Sequence, residues 1–84
     1  MILEARIKQT ALLAAVDICL KRAKRAPLRS ARNLTELGLV AYPNKLTSKE
    51  RNVFHTQVLQ LCKDNNYPDA KQLFIDTFIQ EQDA

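Results

Sequence analysis

From residue 2 to residue 24 the chain has neither Gly nor Pro and is rich in Ala, Leu, Arg and Lys, a run that predicts one long helix. On a 100° wheel Ile7, Ala11, Leu12, Leu13, Ala14, Ala15, Val16, Ile18, Cys19 and Leu20 spread around most of the circumference. Arg6, Thr10, Asp17, Lys21 and Lys24 leave one narrow polar stripe. A helix apolar on nearly every side is expected to be covered on most sides. Asp17 lies one turn before Lys21, the favourable order for an i,i+4 ion pair.

Pro27 predicts a turn at residues 25–28, because its ring removes an amide and biases Ala26 toward extended geometry. A second helix over 30–41 follows, capped by Ser30 or by Asn33 with Glu36, with Leu34, Leu37 and Ala41 on its inner face. Gly38 inside it is expected to weaken it by up to ~1 kcal/mol. Thr47-Ser48-Lys49-Glu50 is a capping box that opens a third helix over 48–64, with Phe54, Val58, Leu61 and Cys62 on one face. Asn65 and Asn66 suit a left-handed helix end, and Pro68 suits the start of a fourth helix over 68–80 carrying Ala70, Leu73, Phe74 and Phe78. The predicted fold is all-α: a small four-helix domain over residues 1–84, made of two αα-hairpins around the long, mostly apolar N-terminal helix.

Two local resemblances lack the context they need. Leu34-Thr35-Glu36-Leu37-Gly38-Leu39 resembles the turn entry of a helix-turn-helix, yet the apolar positions that should follow are Asn44 and Thr47, with Pro43 between. The turn within Leu61–Phe74 is similar to those of pentatricopeptide-type hairpins, but such arrays need several copies to bury a core. Neither resemblance assigns a family.

Composition narrows the function. One Gly in 84 residues excludes a P-loop and a dinucleotide fingerprint, both of which bring several glycines to phosphate. With one His, two Ser and no Trp, no catalytic constellation emerges, so the chain reads as a non-enzyme with no cofactor and no small-molecule substrate. His55 and Cys62 share a helix face, but two ligands do not make a zinc site and core packing is the expected role; no metal is assigned. Cys19 and Cys62 lie in apolar helical stretches, which suits reduced thiols and a cytoplasmic location. Ala11–Val16 is too short an apolar run for a signal sequence, and no stretch approaches the ~20 apolar residues of a membrane span.

Charge is unevenly distributed. Residues 1–32 hold eight Lys/Arg against two acids, +6, whereas residues 33–84 hold five against seven, −2. Lys21, Arg22, Lys24, Arg25, Arg29 and Arg32 cluster at the end of the first helix, the turn and the start of the second. This basic corner is the expected binding site, for nucleic acid or a ribonucleoprotein, or alternatively for an acidic partner protein to which the chain docks as an adaptor or inhibitor. No aromatic lies between residues 1 and 41 to stack on bases. The excess apolar surface of the first helix predicts a homodimer through Leu3, Ile7 and Ala14, with Leu12, Val16 and Cys19 facing the chain's own core.

Overall fold

A computed structural model describes the backbone of residues 2–79 and the side chains of residues 7–79. Every regular element among them is helical: α1 (Ile2–Arg22), α2 (Pro27–Ala41), α3 (Ser48–Lys63) and α4 (Tyr67–Phe74), which continues as a π-helical turn over Ile75–Ile79. Each helix packs beside its neighbour in sequence, and α4 returns to α1 and closes the circuit. The all-α four-helix architecture is therefore the one the periodicity predicts. The expected limit of the last helix, residue 80, lies outside the described residues.

α1 forms one wall of this circuit. A helix with two neighbours buries one line of residues, here Leu12, Val16, Leu20 and the following Ala23, while Cys19 packs at its margin. Leu12, Val16 and Cys19 thus face the core as expected, but the opposite side of α1 is not covered by any of the described residues. Ile7 is 61% exposed and Ile18 53%, and Ala11 and Ala14 are exposed between them. Asp17 pairs not with Lys21 but with Lys71 of α4, at 3.1 Å, because the closure of α4 onto α1 offers a cation from outside the helix.

The α1–α2 junction departs from the sequence expectation. α2 starts at Pro27 rather than at 30, since proline at the first helical position loses an amide that has no partner there and has φ already set for the helix. Ser30 is consequently inside the helix, not at its cap. It is buried, and its Oγ donates to the Cys19 carbonyl at 3.0 Å. That carbonyl lies in the last turn of α1, where oxygens lack intrahelical partners, and the Ala23 amide bonds instead to Leu20 O at 3.1 Å. Ser30 therefore satisfies an orphan acceptor and fastens α2 to α1.

At its other end α2 is capped by charge. Lys8 of α1 donates to the Ala41 carbonyl at 2.9 Å, and its ammonium lies 4.3 Å from the centre of the Tyr42 ring, so one cation serves both a helix C-terminus and an aromatic face.

Phe54, Phe74 and Phe78 make the aromatic centre of the core, with Phe78 at 5.1 Å from Phe54 and 5.0 Å from Phe74 between ring centroids. Tyr42 stacks on Phe78 from the α2 end. Gly38 has a specific part in this: a Cβ on it would fall inside the van der Waals envelope of the Phe78 ring. The glycine that sequence alone reads as a weak point in α2 is the socket for the last aromatic.

The remaining ends follow local rules. Thr47 Oγ1 accepts from the Glu50 amide at 3.1 Å and Glu50 Oε1 accepts from the Thr47 amide at 2.8 Å, the predicted capping box. Thr47→Ala should lower stability by about 1 kcal/mol, read as a shifted urea midpoint at unchanged slope. Asn65 adopts a left-handed φ of 59° and ends α3, and Asn66 caps α4, whose Asp69 amide it meets at 3.4 Å.

Candidate nucleic-acid interface

The turn after α1 reverses the chain in a few residues, so the end of α1 and the start of α2 lie side by side and the basic block is folded back on itself. It divides between two grooves. Arg25, Arg29 and Arg32 line the first, about 420 Å³ in volume, together with Ala26, Pro27 and Leu28. All three guanidinium-bearing residues are exposed. The first turn of α2 carries no acidic residue, and Ala26 provides no side-chain cap. The amides of that turn add the positive end of the helix dipole to the three arginines. Leu28, 59% exposed, lies among them.

The second groove, about 560 Å³, opens between the end of α1 and the start of α4 and is lined by Asp17, Leu20, Lys21, Lys24, Tyr67, Pro68 and Lys71. Nothing in the sequence alone marks Lys71 and Tyr67 for this site. Their spacing places both on one face of α4, but only the packing of α4 against α1 brings that face beside Lys21 and Lys24. Tyr67 supplies the aromatic that residues 1–41 lack. Its hydroxyl donates to Asn65 Oδ1 at 2.7 Å, which ties its outer end to the α3–α4 turn. Among the described residues Asp17, paired with Lys71, is the one acidic side chain lining this groove. Arg22 is exposed and lines neither groove.

The thiols belong to the interior. Burial pushes Cys19 up from its ordinary value, with the Arg22 charge pulling the other way, and burial with the neighbouring Cys19 pushes Cys62 up. A thiol held protonated at neutral pH is a poor nucleophile and a poor metal ligand. His55 is half-buried on the same helix as Cys62, and among the described residues no three His, Cys, Asp or Glu side chains gather as metal ligands would. Of the residues expected at a dimer contact, Ile7 and Ala14 are exposed, and the side chain of Leu3 lies outside the described residues.

Fold and surface together define a small all-α helical bundle with two basic grooves at one end. No family model, no curated protein and no solved structure matches this chain. Among the described residues no helix is long and apolar enough to cross a membrane.

Proposed function

We propose that the protein is a small, non-enzymatic regulatory factor of the cytoplasm that binds nucleic acid, free or in a ribonucleoprotein, through this basic end. The observation that carries the reading is the second groove, where Tyr67 lies with Lys21, Lys24 and Lys71. Cations that track a backbone together with an aromatic on which a base can stack are the two components of single-strand recognition. The arginine groove continues the cationic surface across the turn, and arginine pairs with phosphate in a bidentate fork.

Fluorescence anisotropy with a labelled single-stranded RNA and a duplex DNA of the same length, over a salt series, tests this. If Lys21, Lys24, Lys71 and the three arginines each meet a phosphate, raising salt from 50 to 200 mM should weaken binding by roughly 300-fold for the single strand and roughly 2,000-fold for the duplex. Tyr67→Leu keeps an apolar side chain and removes the stacking face, and should cost about 1–3 kcal/mol on the single strand with little effect on the duplex. Absence of binding at the lowest salt, or affinity indifferent to salt, sinks the proposal.

A second reading rests on Leu28. An exposed leucine ringed by arginines also suits an acidic partner protein, with the apolar side chain as anchor and the charges as rim. Leu28→Ser distinguishes the two: it should weaken protein docking and leave phosphate-driven binding unchanged.

A further inference from the structure

The side of α1 left exposed among the described residues is ordered in a way that specifies its occupant. Ile7, Ala11, Ala14 and Ile18 are spaced 4, 3 and 4 residues apart, the repeat of a coiled-coil seam, and all four are exposed on the side of α1 opposite Leu12, Val16 and Leu20. The stripe is also self-complementary. When a second α1 is laid antiparallel about a two-fold axis midway between positions 11 and 14, Ile7 meets Ile18 of the second copy, Ala11 meets its Ala14, and both contacts recur by symmetry.

We infer that this stripe is the interface of an isologous dimer in which α1 packs antiparallel on α1 of a second copy. Two-fold symmetry requires that residue i meet j and j meet i, and this stripe meets that condition without a slip. The two alanine layers at the centre let the helix axes approach to the near end of the usual 8–10 Å range, and an isoleucine layer closes each end. Charge selects the orientation. A parallel pair would set Lys21 on Lys21, whereas in the antiparallel pair the two Lys21 positions are ~17 residues, or about 25 Å, apart along the axis. The contact surface is one helix wide, which places the dimer among small, readily dissociating interfaces. In this arrangement the two Arg22 positions, the last of each α1, are about 29 Å apart along the helix axis, from a rise of ~1.5 Å per residue over ~19 residues. Each basic end then meets a separate stretch of nucleic acid; that consequence depends on the function proposed above, and the pairing does not.

Sedimentation equilibrium of the full chain, up to about 200 µM, tests the pairing without any nucleic acid. The expected result is reversible association to twice 9.6 kDa, and a species that stays at 9.6 kDa overturns the proposal. Ile7→Asp and Ile18→Asp should each abolish association while circular dichroism and melting of the dilute protein stay unchanged, since both positions face away from the core. A second measurement reads the register. An equimolar mixture of Ile7→Cys and Ile18→Cys proteins, mildly oxidised and mapped by peptide mass, should yield the mixed 7–18 disulfide. A 7–7 disulfide formed by Ile7→Cys alone would mean a parallel pair and overturn the antiparallel assignment.

Discussion

Phe78→Ala is expected to remove about 3–5 kcal/mol of folding stability, and Gly38→Ala about 1–3 kcal/mol, with the two effects strongly coupled. The first figure is the loss of a large, fully buried ring that touches Phe54, Phe74 and Tyr42. In a domain of this length, whose whole stability is of the order of 4–13 kcal/mol, that is a major fraction. The second figure runs against helix propensity. Alanine is the better helix former by ~1 kcal/mol, so an exposed glycine in α2 would gain from the change. Gly38 is buried, and its missing Cβ is what lets the Phe78 ring rest against the α2 backbone. The ring is fully buried against three other aromatics, and in a close-packed interior the added methyl group must displace it.

The test is a double-mutant cycle by urea denaturation at low protein concentration. In the Phe78→Ala background the socket is empty, and Gly38→Ala should then be neutral or should stabilise by up to ~1 kcal/mol. Equal cost in both backgrounds would show that ring and glycine do not interact, and a higher midpoint for Gly38→Ala alone would show that the close approach is absent.

The second large effect is on binding. Replacing Arg25, Arg29 and Arg32 together by Glu should weaken nucleic-acid binding by roughly 500-fold at 0.1 M salt through lost counterion release alone, and lower the duplex salt slope by about 2.7. Melting should hardly move. The three side chains are exposed, and acidic residues in the first turn of α2 interact favourably with the helix dipole. The replacement lowers the net charge by six, so a general loss of positive potential has to be separated from loss of the groove. Reversing Lys45, Lys49 and Lys63 changes the net charge equally at positions that line neither basic groove, and should retain most of the affinity. If the arginine variant binds as tightly as the parent, the corner is a solvated surface and the functional proposal fails.

Much of this molecule is readable residue by residue where partners are near in sequence. Thr47 and Glu50 are three residues apart, Asn65 stands at the helix end where a left-handed φ is needed, and Phe54, Val58 and Cys62 repeat at helical spacing. Such features depend on the geometry of a single turn, which backbone sterics and hydrogen bonding determine whatever the rest of the chain does. Pro27 shows where even local reading divides, because the same ring that ends one helix can begin the next, and the orphan carbonyl of Cys19 is met by Ser30 only when it begins one.

The basic end was legible as a cluster and not as a surface. Lys21, Lys24 and the three arginines follow one another in the chain, yet their division into two grooves depends on how the α1–α2 turn folds. Tyr67 and Lys71 join Lys21 and Lys24, Asp17 pairs with Lys71 across 54 positions, and Phe78 finds Gly38 across 40. Local periodicity determines which residues share a helix face. Which face meets which is decided by the rotation of each helix about its axis, and that rotation is set only when all four helices bury their apolar lines together.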